Sequence, residues 1–230
     1  MRKAKLLIFM LFLVPIAAIS QQHSDISKIG RVIDNEMAKS WIETFKSKNP
    51  DKPKGFTYGK VMLQEMLSAE GVKGIRISYG LTESGTFKFI LNGTDNAGGK
   101  IWSFYNDGSA CPPYCPEEDP EEIDPRVVSI GNKISDEMAN NWMEAYTTAN
   151  PGELKSHLYG KALAEEILAQ EKSAGIYFAR GLSADEVEHL VLIAVNENGE
   201  LMIEGVVGNR GNSCPPCPEE IDPSTASSGN

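Results

Sequence analysis

What this chain has little of narrows its functions first. Its 230 residues include only four cysteines, three histidines and 8% aromatic residues, and 22 Lys plus Arg stand against 32 Asp plus Glu. The resulting formal charge of -10 argues against a surface built to neutralise phosphates, so nucleic acid is not an expected partner. Beyond the first twenty residues there is no long apolar run, so the mature chain is not expected to be embedded in a membrane. No glycine-rich loop follows a strand and opens a helix, which excludes the usual phosphate cradle. What is present, 41% hydrophobic and 23% charged residues, suits an ordinary globular protein.

Residues 1–20 read as a secretory signal. Arg2, Lys3 and Lys5 make a basic start, Leu6 to Val14 an apolar run, and Ala18-Ile19-Ser20 a small-residue cleavage site. The run is shorter than the roughly 20 residues of a membrane-spanning helix, and Pro15 interrupts it. Cleavage leaves 19 basic against 32 acidic residues, a formal charge of -13, in a periplasmic or extracellular compartment where cysteines can pair.

The rest of the chain matches itself at a constant offset of 101 residues. IGRVIDNEMAKSW is answered by IGNKISDEMANNW, KGFTYGK by KSHLYGK and GIRISYGL by GIYFARGL. From Ile29 to Gly98 there are 23 identities in 70 positions without a gap, and two further residues in the second copy then align CPPYC with CPPC. This is internal duplication. The expected layout is a disordered start at 21–26, a module at 27–116, an acidic linker at 117–127, a second module at 128–217 and a polar tail at 218–230. Each module is large enough to fold alone.

Each copy carries the same succession of periods. Ile29, Ile33, Met37, Trp41 and Phe45 recur every four residues, as do Ile130, Ile134, Met138, Trp142 and Tyr146, which predicts an amphipathic helix ending before Pro50 and Pro151. A second helix is predicted from Tyr58 to Glu70, with Leu163, Ile167 and Leu168 marking its counterpart. Then Ile75, Ile77 and Tyr79 alternate as in a half-buried strand. Further strands are predicted at Phe87–Asn92, Lys100–Tyr105, Leu190–Val195 and Leu201–Val207. Leu190 to Val195 is apolar throughout, so both of its faces should be covered. The fold class is therefore α+β, two tandem helix-helix-strand-strand-strand modules with antiparallel sheets, packed as a pseudo-twofold pair.

Residues held in both copies are the natural site candidates. Tyr58 and Lys60 recur as Tyr159 and Lys161, Glu36 and Glu65 as Glu137 and Glu166, and Trp41 as Trp142. A ligand groove built on Tyr58, Lys60, Tyr159 and Lys161 competes with a purely structural role at the helix start. The histidines, His23, His157 and His189, have no histidine counterpart, which disfavours a metal site or catalytic triad in each module. Asn92-Gly93-Thr94 fits a glycosylation acceptor, a pattern common by chance.

The cysteines carry the clearest chemistry. Cys111 and Cys115 enclose Pro-Pro-Tyr, and Cys214 and Cys217 enclose Pro-Pro. Export and an even count favour a local disulfide in each pair, contributing about 2 kcal/mol by loop entropy. A redox pair has the CPPC spacing, but Pro218, Glu219, Glu220 and Asp222 leave no helix to lower a thiol pKa. Four thiolates holding zinc or an iron-sulfur centre form the third reading. The linker, Pro116 to Pro125, has six acidic residues in ten and lacks the spacing of a calcium loop.

GIRIxYGL with CPPYC resembles small repeat modules of uncharacterised bacterial proteins, over most of each copy. The second copy departs from it, with Arg180 for Tyr79 and CPPC for CPPYC. The resemblance implies no activity. The expectation from sequence is an exported, non-enzymatic binding or structural protein without a cofactor, meeting a protein or cell-envelope component. A periplasmic thiol-redox or metal protein is the alternative.

Overall fold

A computed structural model describes residues 25–106, 108–112, 114–115 and 127–215, apart from the side chain of Trp102. The expected signal at 1–20, His23, most of the expected linker, Cys217 and the expected tail lie outside the described residues. Among the described residues the fold is α+β, with four α-helices and two antiparallel six-stranded sheets.

The first half contributes β1 (Arg31–Val32), α1 (Asn35–Lys48), β2 (Gly55–Gly59), α2 (Lys60–Ser68), β3 (Gly74–Leu81), β4 (Phe87–Thr94), β5 (Lys100–Asn106) and β6 (Ser109–Cys111). The second contributes β7 (Asn132–Ile134), α3 (Asp136–Ala149), β8 (Ser156–Gly160), α4 (Lys161–Leu168), β9 (Gly175–Leu182), β10 (Glu188–Val195), β11 (Val207–Asn209) and β12 (Asn212–Cys214).

Asp34 caps α1 by accepting from the Met37 N–H, and Ser135 caps α3 by accepting from that of Met138. Asn49 and Asn150 close these helices through Nδ2 bonds to the Phe45 and Tyr146 carbonyls. The stops before Pro50 and Pro151 are thus where the sequence places them. The starts are later than the apolar stripe predicts, because Gly30 and Gly131 take φ of +93° and +109° and turn the chain before each helix.

The second helix also starts later than predicted. Tyr58 and Tyr159 sit in five-residue strands, β2 and β8, that are buried throughout and have no exposed alternate residue to announce them. In the second half the strand predicted at Leu201–Val207 shrinks to a bridge from Leu201 to Val195 followed by β11.

The strand order is β1-β11-β10-β9-β2-β6 in one sheet and β12-β8-β3-β4-β5-β7 in the other. The spans 27–116 and 128–217 therefore do not each close a sheet. β2 crosses to pair with β9, and β8 crosses to pair with β3. Residues expected in the flexible start and linker join in as well. Ile26 and Val127 are buried, each opening a short 3-10 helix.

The layers run α1, sheet, sheet, α3. Ala38, Trp41 and Ile42 of α1 cover Tyr177, Ala179, Val191 and Ile193, while Ala139, Trp142 and Met143 of α3 cover Ile90 and Phe104. The facing sides of the sheets share one core with the apolar faces of α2 and α4. Leu190, Leu192 and Ala194 point into that core and Val191, Ile193 and Val195 toward α1, as the unbroken apolar run predicts.

Corresponding residues make corresponding contacts across the halves. The Gly59 N–H donates to the Ile130 carbonyl and that of Gly160 to Ile29, at 2.9 and 2.7 Å. A Cβ on Gly59 would lie 2.4 Å from the Val128 carbonyl oxygen, and one on Gly160 the same distance from that of Ser27. The approach of the two halves here requires glycine.

Candidate functional site

The residues retained in both copies build the frame. The Tyr58 hydroxyl donates to the Phe89 carbonyl at 2.7 Å and that of Tyr159 to the Leu190 carbonyl at 2.5 Å, both from fully buried rings. Asn106 and Asn209 donate to the same two carbonyls. Burial pushes the Tyr159 phenol well above the usual range, which keeps it a neutral donor. Lys60 donates to the Ser173 carbonyl at 3.1 Å and Lys161 to that of Leu67 at 2.5 Å, so each lysine ties its helix to the other half. Lys60 also borders a groove of about 440 Å³ between α2 and α4, with Gln64 and Glu165. Glu65 pairs with Lys133 at 2.8 Å, and Glu36 with Lys39 at 3.0 Å.

Cys111 and Cys115 are joined by a disulfide, Sγ–Sγ 2.12 Å. Cys214 is disulfide-bonded as well. Cys111 pairs with Gly55 at the edge of one sheet and Cys214 with Ser156 at the edge of the other, and both are followed by a cis proline. Among the described residues no group of three or more His, Cys, Asp or Glu side chains is placed to hold a metal ion. Asn92 of the glycosylation pattern is buried in β4, its Nδ2 donating to the Gly93 carbonyl.

Sequence reasoning missed the charged cluster at the hairpin end of the core. Four equivalent pairs of positions meet there. The first half supplies Phe45, Phe56, Tyr79 and Phe87; the second supplies Tyr146, His157, Arg180 and Glu188, each 101 residues further on. Glu188 accepts from Arg180 Nε at 2.9 Å, from Arg180 Nη2 at 3.0 Å and from the Tyr79 hydroxyl at 2.9 Å. The guanidinium lies 4.4 Å from the Phe45 ring centroid and 5.1 Å from that of Phe87.

Tyr79 Oη is 3.2 Å from His157 Nε2. With the Tyr79 proton on Glu188, the imidazole must donate from Nε2. Burial holds His157 down to about 4, so the ring is neutral at pH 7. Burial, reinforced by Glu188, pushes the Tyr79 phenol well up. Burial works against the Arg180 charge, and Glu188 more than offsets it. The Tyr79 hydroxyl lies within hydrogen-bond distance of both Glu188 and His157, so the cluster's charged and polar groups are tied together through it. The sign in the sequence was divergence: polar residues in one copy where the other has aromatics.

The second asymmetry makes a surface feature. The Leu81–Ser84 turn and the first half of α3 enclose a groove of about 620 Å³, lined by Trp142, Met138, Asn141, Glu83, Glu137 and neighbouring small residues. Gly80 permits the packing behind it, since a Cβ there would lie 3.2 Å from Trp142 Cβ. On the opposite face His189 stacks on Trp41, centroids 4.2 Å apart and planes 13° apart. Lys88 holds the position that answers His189, and among the described residues no ring stacks on Trp142. Met138 is 42% exposed beside it.

Among the described residues no helix is long and apolar enough to cross a membrane. No family model matches the chain, and no curated protein or solved structure matches it either.

Proposed function

We propose that the protein is an exported, non-enzymatic binding protein, made of two copies paired about a pseudo-twofold axis and stiffened by local disulfides in the CPPYC and CPPC segments. The open groove at Trp142 carries this reading. A frame built from repeated residues holds one tryptophan under a stacked histidine and leaves its counterpart without a stacked ring among the described residues, in a groove shared with Met138 and the Asn141 amide. Grooves with an aromatic wall and a few polar groups are the usual form of a ligand site. The duplicated residues supply hydrogen bonds to the frame, and no nucleophile–base pair is duplicated with them.

The Cys111–Cys115 bond supports the local-disulfide reading over a zinc or iron-sulfur centre, because a bonded Sγ has no thiolate to offer. The N-terminal segment supports export, and with it a periplasmic or extracellular partner, either a protein or a component of the cell envelope. The resemblance to repeat modules of uncharacterised bacterial proteins fits this reading and adds no activity to it.

The test is mass spectrometry of the protein from the exported fraction, alkylated with and without reductant. Loss of residues 1–20, four protected cysteines and no bound metal are expected. Free reactive thiols or retained zinc would instead establish the thiol-redox or metal reading.

A further inference from the structure

We infer that the Trp142 groove takes a cationic side chain, a guanidinium or ammonium group presented by a protein partner; this rests on the groove being a binding site. The argument compares the two helices that cover the sheets. Glu36 on α1 is neutralised by Lys39, which also pairs with Glu204 at 2.6 Å. At the equivalent positions α3 has Glu137 and Asn140, so the carboxylate is kept and its cation is gone.

The same loss recurs along the helix. Lys46 and Lys48 of α1 pair with Glu43 and Glu186, whereas α3 has Thr147 and Ala149 there and no basic residue from Asp136 to Ala149. Glu83 adds a second carboxylate from the turn, where the other copy has Ala184. Among the described residues neither Glu83 nor Glu137 has a cationic partner, and no basic residue lines the groove. Lys88 lies next along β4 and is not one of the lining residues. Asp136, at the start of α3, is already paired with Lys100.

Two carboxylates without a cationic partner among the described residues, lining the same groove as an indole, complement a cation in two ways, by charge and through the ring quadrupole. A guanidinium would also find acceptors in the Asn141 amide and the Ser84 hydroxyl, both in the lining. A neutral sugar would use the indole and the amide but would leave the loss of lysines from α3 without a role.

The test is a titration of the ¹⁵N-labelled protein followed by the indole N–H resonances of its three tryptophans, with Trp142 assigned by Trp142→Phe. The probes are Nα-acetyl-arginine methylamide, its neutral citrulline analogue and chitobiose. The arginine probe alone is expected to shift the Trp142 signal. Its affinity should fall with added salt, and by up to about fivefold in each of Glu83→Gln and Glu137→Gln, surface changes that leave the fold intact. A shift by citrulline or chitobiose equal to or larger than that by arginine would overturn the cationic class and leave a binding groove. No shift by any probe would remove both readings.

Discussion

Arg180 and Glu188 form a two-point ion pair in the core, and each stands 101 residues after an aromatic residue, Tyr79 and Phe87. The arginine side chain is 6% exposed and the glutamate 23%, so most of the cost of removing these charges from water is paid by the arginine. Glu188→Ala is expected to destabilise the protein by about 3 kcal/mol, because it strands a guanidinium among rings. The double variant Arg180→Leu/Glu188→Leu should lose less than Glu188→Ala alone. Urea unfolding of the three proteins measures the difference, and a double variant weaker than the single one would contradict the argument.

His157 gives stability a pH dependence with a definite sign. Its pKa in the folded protein is about 4 against an ordinary 6.5, so below 6.5 the unfolded chain binds a proton that the folded chain refuses. Stability is therefore full above about pH 6.5 and falls toward pH 4, by about 3 kcal/mol. Burial lowers His189 too, which adds a loss of the same sign. His157→Phe, the residue found at the equivalent Phe56, should flatten most of this slope and leave the His189 part. Denaturant midpoints at pH 7.0, 5.5 and 4.5 test it.

Gly59 and Gly160 are points where backbone meets backbone. Gly59→Ala or Gly160→Ala would press a methyl group against a carbonyl oxygen of the other half, and each is expected to cost at least about 2 kcal/mol. Gly85→Ala meets no atom within 4 Å and pays only for its positive φ, so it should cost less. Thermal unfolding of the three variants ranks them.

Cleavage of the linker near Asp119 should not release two separate proteins. β2 and β8 each lie in a sheet whose central strands come from the other half, so the cut protein should elute as one particle and dissociate only in denaturant. Either half expressed alone should be insoluble or unfolded. Two folded monomers on size-exclusion chromatography would refute the crossed arrangement.

How much of this the sequence discloses depends on how local each signal is. Alternation at Ile75, Ile77 and Tyr79, the apolar run at Leu190–Val195 and the Asn-Pro stops mark elements by their own residues, and the structure has those elements. Gly55–Gly59 and Ser156–Gly160 escape because both faces are buried and each borders a helix whose start absorbs the pattern. Their partners lie in the other half of the chain, which no periodicity reports. The charged cluster escapes because its polar members lie far apart in the sequence, at positions whose counterparts 101 residues earlier are aromatic. His157, Arg180 and Glu188 acquire a common role only once Tyr79 is placed between them.

The crossing of β2 and β8 also orders events in time. When the first half has been synthesised, β3, β4 and β5 can form a meander and β2 can pair with β6, but the free edge of β3 waits for β8 and that of β2 waits for β9. Pairings so distant in sequence bring a large loop-closure entropy and slow folding. Neither sheet has all of its strands until β11 and β12, near the end of the described chain, are available to pair.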